Sequence, residues 1–538
     1  MKLNQNHVDQ ILQNIKSGQI EKGLLLTNSL LKTNKNSLHL NKLAAYIYGL
    51  KDKHRLSIQI LNDIKNNFPE DFDISNNLGH AYLHEEKIDL AIENINKAIK
   101  INPESPAPYK NLAEVYLILR DFDKADTAIN SCIEKTEKVS HDFQEFINVI
   151  LIKIQILLAQ KQKTLAINLI TKYLEKKFEP ELCYELVNID KNEVTNNLLK
   201  ISLAQIEKNI YKSHLDKFNK LSPLLFFLAN YYESSDNALS EKYYVQANKE
   251  VINIQRLKVI VFQQKFGKII DNFKLIKDLE ISDQNRGSEN IFIVGMPRSG
   301  TSLLESVITA NNQVFPGGEL RSMNSLYNNF EDSKKINLTK EIDFIGQEYS
   351  NITDLIKGNR QKIVDKMPLN FSLIGYILKS LPRSKIILLL RDPWDIAISL
   401  YKQRYVKNIT YAASFFNIGV YMANFEAIVN FWINFDNIDN KIYKLKYEQL
   451  VKNFHEKQKD LYEFCHIQDA FNEEFRKNHF VRTASINQVN SNVHSKSVQK
   501  KSFDAYKPEF FDTYNMQKQF WIKRGISFKK NFFGYLDK

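Results

Sequence analysis

The sequence predicts an all-α solenoid followed by an α/β domain with a central parallel sheet. A period of 34 residues relates Tyr48 to Tyr82 and Tyr116, and such a period is typical of stacked helix pairs. Glycine (16) and proline (12) are sparse among the 538 residues, which favours long helices with short connections. In the second half, apolar runs such as Ile386–Leu390 alternate with helical patterns, which predicts strands that are covered on both faces.

The clearest repeat is the segment NNLGHAYLHEEKIDLAIENINKAIKINPE, which resembles a tetratricopeptide repeat (TPR). Gly79 and Ala91 are small where two helices would cross, Tyr82 would fill the gap, and Pro103 would end the second helix. Two clear copies span 72–105 and 106–139, a weaker copy spans 38–71, and 18–32 suggests a degenerate first copy. Repeats of this kind bind protein segments on a concave face, so a protein partner is predicted there.

Three regions follow from these patterns. Residues 1–140 are predicted to hold the TPR repeats, and residues 141–285 a degenerate helical continuation in which the period fades. A polar, turn-rich stretch at 282–290 then marks a boundary. Residues 286–538 are predicted to form the α/β domain, with short strand candidates at 291–294, 362–365, 385–390 and 441–447.

Composition excludes several classes of function. The net charge of +12 is spread along the chain without a basic block interleaved with aromatic residues, so nucleic acid is not an expected partner. Cys132, Cys183 and Cys465 lie far apart, which argues against a disulfide framework or a zinc site. The sequence shows neither a signal-peptide core nor an apolar run of membrane-spanning length, so a soluble, cytoplasmic protein without membrane contact is expected.

The stretch GMPRSGTS has the features of a phosphate-binding loop between a strand and a helix. Thr301 occupies the position of the lysine that nucleotide triphosphatases carry there. Pro297 would fix the turn, Gly300 would permit close backbone approach, and the amides that open the helix would suit an anion. Arg298 adds a fork-shaped cation. The candidate binding residues in this loop are Pro297, Arg298, Ser299, Gly300, Thr301 and Ser302.

At these residues the sequence resembles sulfotransferases that use 3′-phosphoadenylyl sulfate (PAPS), because PRSGT after a strand is similar to their 5′-phosphosulfate loop. The stretch LLLRDPWDIAISLY resembles their 3′-phosphate motif. The resemblance implies that Arg391 and Ser399 bind the 3′-phosphate. Arg391 would also leave a buried strand at the carboxyl edge of the sheet, where open α/β sheets bind ligands.

Further motifs extend the resemblance. FPGGELRSM is similar to an element of tyrosylprotein sulfotransferases, which implies that Glu319 is the catalytic base and that Arg321 binds substrate. VDKMPLNF implies that Lys366 stabilises the transferred group, and KLKYEQLV implies a nucleotide contact from Tyr447. The late stretch from 481 to 501 resembles a nucleotide loop and implies a contact from Ser495 or Ser497.

With the repeats, the chain resembles bacterial TPR sulfotransferases, which have a P-loop-type α/β sulfotransferase domain. The resemblance implies PAPS as co-substrate, no metal, and catalysis by Glu319, Arg298 and Lys366. The acceptor would be a hydroxyl of protein tyrosine, a glycan or a small molecule, with the TPR region binding an acceptor or partner or supporting a homodimer. Two alternatives stay open: a TPR scaffold with an inactive PAPS-binding domain, and a P-loop nucleoside or sugar kinase, which Thr301 disfavours.

Overall fold

The computed structural model describes residues 5–139, 143–208, 211, 213–254, 259–333, 335–405, 409–435, 441–468, 471–477, 502–529 and 532–533. The chain divides into two compact units, one of Met1–Gln160 with Asp354–Ile356 and the other of Lys161–Thr353 with Lys357–Lys538. Within the described residues, none of the helices is both long enough and apolar enough to cross a lipid bilayer.

The first unit is built from helices that pack on their neighbours in chain order. They are α1 (Gln5–Lys16), α2 (Ile20–Leu31), α3 (Leu38–Leu50), α4 (His54–Lys65), α5 (Phe72–His84), α6 (Ile88–Ile101), α7 (Ala107–Ile118), α8 (Phe122–Val139) and α9 (Phe143–Ala159). Short connections between successive helices place α5 against α6 and α7 against α8, as in stacked helix pairs. The predicted helical solenoid is confirmed by this arrangement.

The pair α5 and α6 shows how the repeat residues act. The Asp71 carboxylate accepts a hydrogen bond from the Ile74 amide at 2.9 Å and caps the start of α5. Gly79 faces α6 so closely that a Cβ there would lie 2.6 Å from Cγ1 of Ile95. Ala91 is fully buried. The small residues of the 34-residue pattern therefore lie where two helices cross.

The second unit begins with a helical segment. Its helices are α10 (Lys163–Lys176), α11 (Pro180–Ile189), α12 (Asn196–Glu207), α13 (His214–Asp216), α14 (Ser222–Tyr232), α15 (Asn237–Ile254) and α16 (Val259–Lys274). The contacts that define the unit group this segment with the sheet that follows it. For example, Asn248 on α15 donates a hydrogen bond to the Tyr401 carbonyl at 2.9 Å. The predicted domain boundaries near residues 140 and 285 stay predictions.

A five-stranded parallel sheet lies at the centre of the second unit. Its strands are β1 (Asn290–Gly295), β2 (Val314–Pro316), β3 (Lys362–Asp365), β4 (Lys385–Leu390) and β5 (Ile442–Lys446), in the order β2-β3-β1-β4-β5. Every residue of β1 is buried, as are five of the six residues of β4, because helices cover both faces of such a sheet. The predicted α/β domain with a central parallel sheet is confirmed.

The helices of this domain connect the strands and follow the last of them. They are α17 (Thr301–Ile308), α18 (Ser322–Asp332), α19 (Leu338–Lys357), α20 (Ile374–Ser380), α21 (Pro393–Tyr401), α22 (Phe415–Ile433), α23 (Tyr447–Lys452), α24 (Phe454–Phe464), α25 (Glu473–Lys477) and α26 (Lys507–Lys523). From β1 the chain runs to β2 at one edge, whereas from β4 it runs to β5 at the other. The carboxyl ends of β1 and β4 thus flank a topological switch point, where such sheets bind ligands.

Glu185 on α11 makes stability depend on pH. Burial, with the nearby charge of Glu181, raises its pKa from 4.5 to about 7, while Arg404 opposes this. A carboxyl group whose folded-state pKa is raised stabilises the fold below the unfolded-state pKa, and this contribution is lost as pH rises through the folded-state pKa. Glu185→Gln should therefore raise the free energy of unfolding by up to about 3 kcal/mol at about pH 8 and change it little at about pH 4.5.

Thermal unfolding at the two pH values measures this effect. Glu193→Gln is the matched control, since Glu193 is an exposed carboxylate in the turn after α11. An equal gain in Tm at both pH values would show that the Glu185 carboxyl group is not held protonated by burial.

Candidate active site

Two loops meet at the switch point of the sheet. Gly295, the last residue of β1, lies opposite Leu389 of β4 in the parallel register. Residues 296–300 connect β1 to α17, and Arg391 follows β4 directly. The loop and the arginine that the sequence predicts to bind the two ends of one donor therefore leave neighbouring strands at the same edge.

The loop after β1 has a strained backbone that packs against Tyr447. Arg298 and Gly300 both adopt left-handed conformations, with φ of +70° and +102°. A Cβ at Gly300 would lie 2.4 Å from Cδ2 of Tyr447, so the ring lies directly on the loop backbone. This packing requires glycine at position 300 and fixes the direction in which the loop enters α17.

Gly300→Ala tests this contact. The alanine would meet the Tyr447 ring and adopt a left-handed conformation that costs an L-residue about 1 to 2 kcal/mol. The expected result is a loss of stability together with weaker binding of adenosine 3′,5′-bisphosphate (PAP), measured by thermal unfolding and titration calorimetry.

Gly525→Ala is the matched control, because Gly525 has a φ of +85° and open space around its missing Cβ. This variant should lose only the stability that a left-handed backbone conformation costs an alanine, and it should bind PAP as the wild type does. If both variants lose the same stability and Gly300→Ala binds PAP normally, the ring contact contributes nothing.

Three polar residues converge beside this loop. Nε of Arg298 donates to Oγ of Ser399 at 3.1 Å, and Nη1 of Arg391 donates to the carbonyl oxygen of Arg298 at 3.1 Å. The Arg391 guanidinium lies 4.7 Å from the centre of the Tyr447 ring, a cation–π distance. The structure thus brings together Arg298, Tyr447 and the pair of Arg391 and Ser399, which the sequence analysis had placed on three separate motifs.

The end of β4 is fixed by carboxylates that are not among the predicted site residues. The Asp392 carboxylate accepts from the Trp394 and Asp395 amides at 2.9 and 3.0 Å and caps α21, while Oε1 of Glu448 accepts from the Asp392 amide at 3.2 Å. Asp395 is buried, with its Oδ2 3.6 Å from Nη2 of Arg391. Burial raises the pKa of Asp392. In the sequence, the one local indication of this helix start is Pro393 directly after an aspartate, because proline is favoured at the first position of a helix.

Glu319 and Lys366 form an ion pair at the ends of β2 and β3. Nζ of Lys366 lies 2.7 Å from Oε1 of Glu319, and the lysine side chain is 1% exposed while the glutamate side chain is 43% exposed. The backbone holds the pair in place, because the Lys366 amide donates to the Gly318 carbonyl at 2.8 Å. A half-exposed carboxylate therefore stands beside a cation that is shielded from water.

Two further buried carboxylates support this pair. Oε1 of Glu305, on α17, accepts from the Gly318 amide at 2.9 Å. Asp365 accepts from the Tyr349 hydroxyl at 2.8 Å and from the Asn370 side chain at 3.1 Å. These contacts tie the residues that flank Glu319 and Lys366 to the loop helix and to the end of β3. The sequence analysis did not find Glu305. The one feature that could have indicated it is a charged residue within an otherwise apolar helix.

The other predicted site residues that the structure describes lie in the loop, at the start of α17 and just before α18. Pro297 and Ser299 are buried in the loop, and Thr301 and Ser302 are buried at the start of α17. Arg321 is exposed just before α18. Ser495 and Ser497 lie outside the described residues.

The residues present fit a donor with two anionic groups. Arg298, Arg391 and Lys366 supply positive charge, and the buried hydroxyl of Ser299 makes no hydrogen bond to the described residues. In the described part of the chain, no group of three or more His, Cys, Asp or Glu side chains could hold a metal ion, and the metal-free reaction stays a prediction.

Two family models match the chain. Residues 290–472 match the model of the Sulfotransferase family, and residues 72–105 match the model of the Tetratricopeptide repeat. The first match begins with β1 and includes the phosphate loop, Glu319, Lys366, Arg391 and Tyr447. The second match coincides with the clearest predicted repeat. Together they confirm the predicted resemblance.

The individual relatives share less than a third of the aligned residues with this chain. An uncharacterized protein of Aquifex aeolicus (strain VF5) is 29% identical over 237 residues, which are 39% of this chain and 30% of that protein. The chain therefore spans less than a third of that relative's length. Among solved structures, the sulfotransferase domain of the Synechococcus PCC 7002 olefin synthase is 13% identical, with a TM-score of 0.31 over 44% of this chain and 98% of that domain.

A thermophilic TPR protein of Thermus thermophilus is 17% identical, with a TM-score of 0.29 over 32% of this chain and 91% of that protein. At TM-scores this low, the likenesses to solved structures support no inference about substrate or partner.

Proposed function

We propose that the chain transfers a sulfuryl group from PAPS to an acceptor hydroxyl, because it carries a sulfotransferase-family domain in residues 290–472. The observation that carries the proposal is the convergence of Arg298, Ser399 and Arg391 at the switch point of the sheet. One nucleotide with two phosphate groups can contact all three residues only if they lie at one site.

The roles of the donor-binding residues follow from their positions. Arg391 and Ser399 bind the 3′-phosphate, and Arg298 with the amides at the start of α17 binds the phosphosulfate. Tyr447 packs against both the loop and Arg391, so it holds these two groups in a fixed relation. The candidate contacts of Ser495 and Ser497 stay predictions.

PAPS supplies the sulfuryl group, and the residues of the chain position it and stabilise charge. Glu319 accepts the proton of the acceptor hydroxyl, whose oxygen forms a bond to sulfur while the bond between sulfur and the bridging phosphate oxygen breaks. The electron pair of that bond leaves with PAP. Arg298 and Lys366 stabilise the negative charge that develops on the departing phosphate, which is the main contribution that a protein makes to such a transfer.

The burial of Lys366 supports this role. Its ammonium group is almost fully shielded from water, and electrostatic interactions are stronger in a site of low dielectric constant. Its hydrogen bond of 2.7 Å also orients the Glu319 carboxylate. The same lysine can therefore direct the base and stabilise the leaving group.

The test combines ligand binding with product formation. PAP should raise Tm more than ATP does at equal concentration, since a ligand at a hundred times its Kd stabilises a protein by about 2.7 kcal/mol. PAPS should release PAP in the presence of 4-nitrophenol, a tyrosine-containing peptide or N-acetylglucosamine. Stronger stabilisation by ATP would favour the kinase alternative, and PAP binding without transfer to any acceptor would favour the inactive scaffold.

The repeats support a role in binding. We infer that the TPR region binds a protein segment of the acceptor or of a partner, as stacked repeats do. The acceptor type, a homodimer and a cytoplasmic location stay predictions.

A further inference from the structure

Ser399 lies in the last turn of a short, buried helix. Helix α21 has nine residues, all of which the structure describes, and Ser399 is the one among them that is not buried. A helix of this length is not stable on its own in water, so its tertiary contacts determine where it lies. The position of the Ser399 hydroxyl therefore depends on what holds the carboxyl-terminal end of α21.

Helix α15 holds that end through its backbone. Nδ2 of Asn248 donates to the Tyr401 carbonyl at 2.9 Å and to the carbonyl of Tyr244, on its own helix, at 3.0 Å. The Tyr401 carbonyl is among the last four of α21, which have no partner within the helix. Asn248 is 2% exposed. Loss of its amide would take this donor away from a carbonyl at a buried contact, which is unfavourable.

Side-chain contacts hold the residues directly after α21. Nζ of Lys402 donates to Oε1 of Glu233, which follows α14, at 3.0 Å. Nε2 of Gln403 and the Arg404 amide donate to the hydroxyl of Tyr184, on α11, at 2.8 and 3.4 Å. Helices α11, α14 and α15 of the helical segment therefore meet at the end of α21, within one unit of the chain.

We propose that the helical segment positions Ser399 for the 3′-phosphate, with Asn248 and Tyr184 as positioning residues. At its other end, α21 begins at the cap formed by Asp392, next to Arg391. The two proposed 3′-phosphate contacts thus lie at opposite ends of one helix, and both ends must be held for one phosphate group to reach them. The inference rests on the proposed binding of PAPS. It makes the helical segment a part of the donor site as well as a continuation of the repeats.

Asn248→Ala tests this role in the full-length chain with two ligands, PAP and adenosine 5′-phosphate (AMP), which lacks the 3′-phosphate. Titration calorimetry gives the Kd of each ligand, and the ratio of the two values measures the contribution of the 3′-phosphate. A displaced Ser399 hydroxyl loses a hydrogen bond to a charged group, so the Kd for PAP should rise about tenfold. The Kd for AMP should stay within about threefold, so that the preference for PAP falls.

Asn94→Ala is the matched control. Asn94 on α6 is also 2% exposed, and its Nδ2 donates to the Leu90 carbonyl at 2.8 Å, but it lies in the other unit. This variant should keep the preference for PAP whatever it does to Tm. An unchanged preference in Asn248→Ala, or an equal weakening of both ligands, would overturn the inference and leave the proposed function standing. A wild type that binds PAP no more tightly than AMP would overturn the proposed donor as well.

Tyr184→Phe is a milder variant that decides the question if Asn248→Ala does not fold. It removes the hydroxyl that accepts from Gln403 and Arg404 and keeps the ring. It should lower the preference for PAP in the wild type but add nothing in the Ser399→Ala background, since a positioning residue acts only through the group that it places. An equal further loss in both backgrounds would show that α11 acts on the fold alone and would overturn the proposed role of Tyr184.

Discussion

Glu319→Gln should lower kcat by about 10²- to 10⁴-fold, the usual contribution of a positioned general base. Glutamine keeps the size of the side chain and an oxygen that can accept from Nζ of Lys366, so the local packing should persist. It cannot take the proton of the acceptor hydroxyl. Binding of PAP should be unchanged, because Glu319 makes no contact with Arg298, Ser399 or Arg391 among the hydrogen bonds of the described residues.

Steady-state kinetics with PAPS and titration calorimetry with PAP measure the two effects. Glu463→Gln is the matched control, because Glu463 is an exposed carboxylate on α24. Full activity of Glu319→Gln would mean that another group accepts the proton.

Arg391→Ala should weaken PAP binding and destabilise the fold. Hydrogen bonds to a charged group contribute about 1.5 to 3 kcal/mol each, so the Kd for PAP should rise at least about tenfold. Removal of the guanidinium also leaves the buried Asp395 carboxylate without its nearby cation. The loss of one partner of such a pair costs about 3 to 5 kcal/mol.

The double variant Arg391→Ala with Asp395→Asn separates the two effects. It should regain much of the stability, since no carboxylate is left uncompensated, but not the affinity for PAP. Arg383→Ala is the control for loss of an exposed arginine before β4. If the double variant recovers both properties, Arg391 has a structural role and does not bind the donor.

Local patterns were sufficient to predict the sheet and the proximity of Arg298 and Arg391 at its carboxyl edge. Continuous apolar runs identify β1 and β4 because strands buried on both faces must be apolar along their length. The position of Arg391 at the end of one such strand, and of the loop with Arg298 at the end of another, then predicts their proximity at one edge. The helix period likewise predicts the pairing of α5 with α6.

The supporting residues could not be predicted in this way. Glu305 and Asp365 act through contacts with Gly318 and Tyr349, which depend on how the loops fold back on the sheet. The approach of α11 to the turn at Arg404 depends on tertiary packing of a segment whose 34-residue period has faded.

The unequal exposure of Lys366 and Glu319 has a consequence for turnover. Bulk water reaches the carboxylate but not the ammonium group. If Glu319 is the base, as proposed, a proton taken from one acceptor molecule passes directly to solvent, and the carboxylate is regenerated without rearrangement of the buried cation. Each catalytic cycle can begin with the same charge distribution as the last.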